Sequence, residues 1–266
     1  MKHIILCADD YGQNTAISQA IIDLIQKNRL SAVSCMTHSY YWANHAKWLL
    51  PYKDQVDLGL HFNLTDGERT SSKISTLILK GFFHLLDQEQ IEKEFQHQIN
   101  DFVTVIGRLP DFIDGHQHIQ HIPQIRKAIL NVYEKKLREN NTYIRCVFNP
   151  HVFLHPKASG FLKACVVQLT GAYGFKKMLE RRNIPHNSSF SGLYNFSDAN
   201  KYADIFPGFL TEIKDKGIIM CHPGREAYDE EDRIAPSRAL EYLYLQSDLF
   251  SQACDKNEIK LGRFRD

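Results

Sequence analysis

Short apolar runs alternate with helix-like segments along the whole chain, and this alternation most constrains the fold. A β-branched run at residues 4–6 is followed by helical spacing over residues 14–28 and by a second strand-like run at 32–37. About seven such units follow one another without a linker, a repeat or a low-complexity tract. We therefore predict an α/β fold in which residues 1–266 form a single TIM-barrel-like (β/α) barrel.

The later segments continue the pattern, with two irregular regions that we interpret as candidate lids, at residues 66–79 and around 190–196. An open doubly wound sheet is the alternative, but no G-x-G-x-x-G motif follows any strand to indicate a dinucleotide site. The remaining predicted strands cover residues 56–62, 112–116, 142–148, 217–221 and 259–262. The remaining predicted helices cover residues 41–50, 89–106, 123–137, 161–179 with a central break, 202–216 and 236–249.

Charge and apolar distribution exclude several classes of protein. The formal net charge of +1 argues against a nucleic-acid or anionic membrane partner. No run of about 18 apolar residues is present, and the first apolar stretch is too short for a secretion signal, so we expect a cytoplasmic location. Six scattered cysteines without a C-x-x-C pair indicate reduced core residues rather than a disulfide framework.

Polar side chains recur where the predicted strands end, which is where barrel enzymes place their chemistry. Because barrel closure brings several strand ends to one point, imidazoles and carboxylates from separate loops would form an open metal site of the hydrolytic kind. The residues concerned are Asp9, Asp10, His38, His61, Asp114, His116, Asn149, His151 and His222.

At two of these strand ends, several candidate site residues lie close together in the sequence and cannot all have the same role. Asp9 and Asp10 are consecutive, and successive side chains of an extended segment face opposite sides, so both cannot bind one ion in the same manner. By the same alternation His116 and His118 would share a face, and His121 would lie further round. We expect His116 to be a metal ligand and the other two to support it or to line the substrate rim.

Four ordered motifs resemble those of a known family. The motifs are Ala-Asp-Asp-Tyr-Gly at 8–12, Gly-Leu-His-Phe-Asn-Leu-Thr at 59–65, Asp-Gly-His-Gln-His at 114–118 and Cys-His-Pro-Gly at 221–224. They resemble the YdjC-like carbohydrate deacetylases, which include the chitooligosaccharide deacetylases. The resemblance extends from about residue 1 to 264, including Arg238 and Glu241. It implies a distorted (β/α) barrel and metal-dependent removal of an acetyl group from an N-acetylated sugar.

Carried over position by position, the resemblance assigns roles to five residues. It makes Asp10, His61 and His116 the metal ligands. It makes Asp9 the general base and His222 the general acid or a donor to the transition state. These roles match what amide hydrolysis requires, namely an activated water, a stabilised oxyanion and a proton for the departing amine.

Two departures from the family pattern concern the substrate rim. Gly115 stands where serine is common, and Gln120 stands where a third histidine is frequent. Neither change removes a metal ligand, so we expect both changes to affect the choice of substrate. The candidate substrate-binding residues are Tyr11, Asp114, His118 and Arg145.

The cofactor and partners follow from the same assignments. Two imidazoles favour one zinc ion, and a carboxylate with several waters would also admit magnesium. The expected partner is an N-acetylated sugar, and the apolar run at 242–245 indicates a homodimer or burial within the chain. A hydrolase of another bond, such as a phosphoester or cyclic amide, would use similar ligands. A sugar-binding protein without catalysis is the third interpretation.

Overall fold

A computed structural model of the chain describes residues 1–66, 72–155, 158–227 and 232–266. The strands are β1 Lys2–Tyr11, β2 Ala32–Cys35, β3 Asp57–Phe62, β4 Phe112–Gly115, β5 Tyr143–Ile144, β6 Phe190–Ser191, β7 Ile218–Cys221 and β8 Ile259–Leu261. They form a curled parallel sheet in the order β5-β4-β3-β2-β1-β7-β6, and β8 pairs with the first residues of β1. An isolated bridge pairs Ile144 of β5 with His186, four residues before β6. The predicted α/β fold, a distorted (β/α) barrel, is confirmed.

Helices cover the outside of the sheet. They are α1 Thr15–Gln26, α2 Trp42–Leu49, α3 Ile74–Phe82, α4 Gln88–Ile106, α5 Pro123–Lys136, α6 Phe161–Val167, α7 Tyr173–Arg181, α8 Tyr202–Glu212, α9 Ala235–Gln246 and α10 Asp248–Lys256. Short 3₁₀ segments occupy Leu50–Tyr52, His116–His121, Pro150–Leu154 and Phe196–Lys201, and a π-helical turn, Gln168–Ala172, links α6 to α7. In α1, the Asn14 side chain caps the helix by accepting from the Ile17 amide at 2.9 Å.

The strands separate two apolar layers because their side chains alternate. Leu6 and Ala8 of β1 pack outward among helix residues, whereas Cys7 points into the barrel interior. Phe112 fills much of that interior, and a Cβ at its register neighbour Gly59 would lie 2.3 Å from the ring. Glycine at 59 is therefore what allows the aromatic ring to occupy the barrel.

Several predicted boundaries were wrong, for reasons of tertiary pairing. The strand predicted at 142–148 is reduced to β5, because the chain leaves the sheet once Arg145 has bonded to Ile113. The loop predicted around 190–196 instead contains β6, which pairs with β7. The helix predicted at 236–249 divides into α9 and α10 because Ser247 adopts an extended conformation. The irregular region at 66–79 contains the first turns of α3, and residues 67–71 lie outside the described part.

The apolar run at 242–245 is largely accounted for within the chain. Tyr244 and Leu245 are buried in the core beneath the helices, and the Tyr242 hydroxyl donates to Asp23 at 2.8 Å. Leu243 is the exposed member of the run, with 56% of its surface accessible. Among the described helices, none is both long and apolar enough to cross a membrane.

Candidate metal centre and active site

Three side chains from the carboxyl ends of β1, β3 and β4 converge at one end of the barrel. The Asp10 Oδ1 atom lies 3.3 Å from His61 Nε2 and 3.1 Å from His116 Nδ1, and the two nitrogens are 3.3 Å apart. Asp10 and His61 are buried, and His116 is partly exposed. We call Asp10, His61 and His116 the ligand triad.

A bulge in β1 separates the two adjacent aspartates. The pairing register with β2 shifts between Ala8 and Tyr11, and Asp10 has φ 67°, in the left-handed region. The two side chains therefore have different surroundings, although the backbone here does not follow the simple strand alternation that we expected. Because an L-residue at positive φ is strained, the surrounding contacts must hold Asp10 in place.

An arginine from the far end of the chain supplies much of that restraint. The Arg238 Nη2 atom lies 2.7 Å from Asp10 Oδ2, and its Nε lies 2.7 Å from Asp232 Oδ2. Burial alone would raise the pKa of Asp10, but Arg238 and His116 hold it well below its usual range. The Asp10 carboxylate is therefore ionised and ready to bind a cation.

Carboxylates also orient both imidazoles of the ligand triad. Asp114 Oδ1 lies 2.6 Å from His61 Nδ1, and Asp66 Oδ2 lies 2.7 Å from His116 Nε2. With a proton on each of these nitrogens, the remaining nitrogen of each ring presents a lone pair to the centre of the triad. Burial would lower the pKa of His61, but Asp114 and Asp10 raise it to about 10.

The ligand triad fits a divalent transition-metal ion. Ligands bound to zinc at about 2.1 Å in a tetrahedral arrangement lie about 3.4 Å apart, close to the 3.1 to 3.3 Å edges observed here. One carboxylate and two imidazoles with carboxylate partners also match the donor set of open zinc sites. A cluster of Cys7, Asp9 and Asp114 also groups potential ligands, but Arg145 lies among them.

Asp9 is held by that arginine. Arg145 donates through Nη1 to Asp9 Oδ2 at 2.7 Å and through Nη2 to Oδ1 at 2.6 Å, and it contacts Asp114 Oδ2 at 2.7 Å. The Arg145 side chain is fully buried. The sequence predicts that Arg145 binds substrate, but its guanidinium lies behind Asp9, which itself lines the cleft.

His222 lies beside Asp9, after β7. Its Nε2 atom is 3.9 Å from Asp9 Oδ2, and its backbone amide donates to Glu241 Oε2 at 2.6 Å. Burial lowers the pKa of His222 to about 4, with Asp10 and Asp9 opposing the shift and Arg238 adding to it. The imidazole is therefore neutral at pH 7 in the metal-free protein.

The other predicted substrate contacts divide between cleft and core. Tyr11 is fully buried and donates to the His45 carbonyl at 2.6 Å, which places its hydroxyl in packing rather than in the cleft. Asp114 is likewise fully buried behind His61. His118 does line the cleft, with its ring edge-on to Phe190. It does not share an extended face with His116, because Gln117 and His118 have positive φ values of 52° and 61°.

Sequence reasoning missed the carboxylate Asp66 and the hydroxyl of Ser34. Ser34 Oγ donates to Asp114 at 2.6 Å and lies 3.0 Å from His61 Nδ1. The Asn63 side chain accepts from the amides of Thr65 and Asp66, forming a turn that directs Asp66 back to His116. Asn63 followed closely by Asp66 is a pattern typical of a turn, and it could have indicated that Asp66 folds back toward the site. Ser34 could have been found because alternating residues of β2 face the barrel interior.

Gly115 and Gln120, the two departures from the family pattern, lie next to each other in the structure. A Cβ at Gly115 would lie 3.0 Å from the Gln120 amide nitrogen and 3.0 Å from its Oε1. Gln120 is buried, and its side-chain amide donates to the Arg145 carbonyl at 3.4 Å. The glycine therefore makes room for the glutamine, which is buried behind the cleft rather than on its rim.

The ligand triad opens into a cleft of about 910 Å³. Asp9, His118 and His222 line the cleft near the ligand triad, and residues of α3, α6 and the π-helical turn form the opposite wall. This volume lies within the range of sites for small organic ligands.

Two curated relatives match about half of the chain. A carbohydrate deacetylase of Danio rerio is 31% identical over 144 residues, which are 48% of this chain and 45% of that protein. A chitooligosaccharide deacetylase of Serratia marcescens is 31% identical over 134 residues, which are 47% of this chain and 53% of that protein. The matched part thus spans about half the length of these relatives.

Solved structures agree on the fold. A candidate cellobiose-phosphate cleavage protein of Enterococcus faecalis superposes with a TM-score of 0.72 at 17% identity, covering 99% of this chain and 98% of that one. A peptidoglycan N-acetylglucosamine deacetylase superposes with a TM-score of 0.52 at 12% identity, covering 98% and 85%. The model of the YdjC-like protein family matches residues 3–256. This chain therefore belongs to the YdjC-like family.

Proposed function

We propose that this protein is a metal-dependent hydrolase that removes the acetyl group from an N-acetylated sugar. The observation that carries the proposal is the ligand triad with Asp9 and His222 beside it, all opening into one cleft. We further propose that residues 1–266 act as one catalytic domain, because Asp10 of β1 and Arg238 of α9 meet in a buried ion pair at this site.

In this proposal, Asp10, His61 and His116 hold one divalent ion. Bound there, the ion would supply Lewis acidity, which lowers the pKa of a water molecule and polarises the carbonyl of the substrate. Two imidazole nitrogens favour zinc, and magnesium is the alternative. Arg238 and the carboxylates Asp114 and Asp66 keep the three ligand atoms in place.

Asp9 is the proposed acceptor of the proton from the attacking water. Its carboxylate lies at the cleft with both oxygens bonded to Arg145, so it cannot rotate freely. Each oxygen retains a second lone pair, and the buried guanidinium fixes the direction of that acceptor. The same pairing keeps Asp9 from competing as a further metal ligand.

His222 is the proposed donor to the reacting amide. Because its pKa is lowered to about 4 by burial, the ring begins the reaction neutral, and with the proton on Nδ1 its Nε2 atom can accept a proton. Asp9 Oδ2 is 3.9 Å away, so the proton that Asp9 accepts has a short path to the imidazole. The protonated ring then donates to the departing amine.

The sugar is inferred from the relatives. The matched proteins from Danio rerio and Serratia marcescens are named for deacetylation of carbohydrate and chitooligosaccharide. The test is acetate release from a panel of N-acetylated sugars, using metal-stripped protein and protein reconstituted with zinc or magnesium. Acetate released only after metal addition supports the proposal. If no acetate is released, phosphate release from sugar phosphates or ring opening of cyclic amides under the same conditions would assign another bond.

Variants then separate binding from catalysis. Asp10→Ala is expected to lose metal and activity together, because it removes a ligand. Asp9→Asn is expected to retain the ion and to lose turnover by roughly 10²–10⁴-fold, as for a removed general base. Loss of metal in Asp9→Asn with retention in Asp10→Ala would reverse the two roles, and full activity in both would refute the mechanism.

A further inference from the structure

Five aliphatic side chains line the cleft on α3, directly before α5 and on α6, and we call them the aliphatic wall. They are Ile74, Ile78, Ile122, Val166 and Val167, and the polar residues Ser75, Lys163 and Thr170 line the cleft from α3, α6 and the π-helical turn. Hydroxyl groups of a sugar gain nothing from such a surface, because they would lose water without gaining a hydrogen-bond partner. The wall therefore fits an apolar part of the substrate.

Aromatic faces for a second sugar are scarce in this cleft. Among the described residues that line it, Phe196 is the single phenyl, phenol or indole ring. The Lys163 Nζ atom lies 4.1 Å from the centre of that ring, and the ring packs edge-on against His222 and Tyr194. One face of this ring is thus engaged by a cation.

The aliphatic wall continues out of the cleft onto exposed surface. Val166 lines the cleft and is 50% exposed, and Leu162 and Leu169, four residues before and three after it, are 78% and 73% exposed. Leu162 and Val166 are four residues apart on α6 and share a helical face, and Leu169 follows in the π-helical turn. On α3, Ile78 lines the cleft and Leu79 beside it is 61% exposed. Exposed apolar side chains thus lie next to cleft-lining residues along both helices, and exposed apolar patches are a feature of binding sites.

We propose that the substrate is amphiphilic, an N-acetylated sugar joined to an apolar aglycone, which deepens the proposed function and rests on it. The acetamide lies at the ligand triad, and the aglycone follows the aliphatic wall and leaves the cleft between α3 and α6. The occupant is part of the substrate rather than a second copy of this chain. Ile78 and Val166 line the same cleft as the ligand triad, so whatever covers them shares that cleft with the acetamide.

The test compares methyl and octyl glycosides of N-acetylglucosamine with the zinc-reconstituted protein, below the micelle concentration of the octyl compound. Each methylene that the wall buries is expected to raise kcat/KM by about fourfold. The octyl glycoside should therefore exceed the methyl glycoside by well over tenfold. Equal values for the two glycosides would overturn the inference while leaving deacetylation established.

Two variants locate the effect. Val166→Asp, and the isosteric Val166→Thr in case the first misfolds, should lower kcat/KM for the octyl glycoside more than for the methyl glycoside. Leu243→Asp is the matched control, because Leu243 is a similarly exposed apolar residue of α9 outside the cleft lining. It should leave both values unchanged, and an equal loss in the control would overturn the assignment to this wall.

Further measurements cover the remaining outcomes. If neither glycoside releases acetate, the proposed function fails, and calorimetric binding of the octyl glycoside to native and Val166→Asp protein still tests the wall. The proposed role of the wall is supported if the octyl glycoside binds native protein more tightly than the methyl glycoside and this difference is lost in Val166→Asp. Equal binding of the two glycosides to native protein overturns it. Light scattering that shows a dimer dissociated by Val166→Asp would assign the surface to a second copy.

Discussion

The carboxylate behind His61 should contribute strongly to metal affinity. Asp114 is fully buried and contacts His61 Nδ1 at 2.6 Å, Ser34 Oγ at 2.6 Å and Arg145 at 2.7 Å. In Asp114→Asn the amide either donates to the ring nitrogen or accepts without a charge, so His61 loses its fixed orientation and part of its basicity. Loss of such a partner costs roughly 10–100-fold in affinity, or about 1.4–2.7 kcal/mol.

Asp66→Asn is the matched control, because Asp66 makes the equivalent contact to His116 at 2.7 Å but its side chain is 53% exposed. Water screens that pair, so its loss should cost less than that of the buried pair. The assay is competition for zinc against a chelator of known affinity at pH 8, with urea unfolding of each metal-free variant to establish folding. A cost for Asp66→Asn equal to or above that for Asp114→Asn would refute the reasoning.

The pH dependence gives a second measure of the same contact. In the metal-free protein, Asp114 and Asp10 outweigh burial and raise the pKa of His61 to about 10, so protons compete with the metal and affinity rises with pH. Asp114→Asn removes part of that competition together with the orientation. The affinity gap between native and variant protein should therefore narrow as the pH falls from 8 to 6, and a widening gap would contradict this account.

Three further predictions concern the barrel interior, the His222 loop and acid stability. Gly59→Ala should lower the free energy of unfolding in urea by about 1–3 kcal/mol, because the added methyl overlaps the Phe112 ring. Glu241→Ala removes the carboxyl acceptor of the His222 amide and should lower kcat by about tenfold or more. In a His222→Ala background the Glu241→Ala change should cause little further loss of kcat. Additive losses from the two substitutions would show that Glu241 does not act through His222. Burial lowers the pKa of His121 to about 3, so stability is retained above the unfolded value near 6.5 and lost as the pH falls from there toward 3. In urea unfolding, the free energy of unfolding of His121→Gln should fall less steeply with decreasing pH than that of the native protein, by up to about 1.4 kcal/mol per pH unit. The same pH dependence in both proteins would contradict this prediction.

The sequence by itself determined which polar residues stand at the ends of the strands. The alternation of apolar runs and helices indicates a parallel barrel, and barrel geometry collects the carboxyl ends of strands on one face. Asp10, His61 and His116 each follow directly from a recognisable strand. Their meeting therefore depends on local patterns and on one general rule of topology. The family resemblance assigned their roles in advance.

Tertiary structure alone decided what surrounds these residues. Arg145 and Arg238 reach Asp9 and Asp10 from more than 130 positions away, and neither pairing has a local pattern. The short β5 and the strand β6 likewise exist through pairing with distant neighbours rather than through their own propensity. The left-handed conformation of Asp10 is imposed by a bulge against β2 and held by Arg238. Such contacts arise only when the barrel closes, because burial then forces each charged group to find its partner.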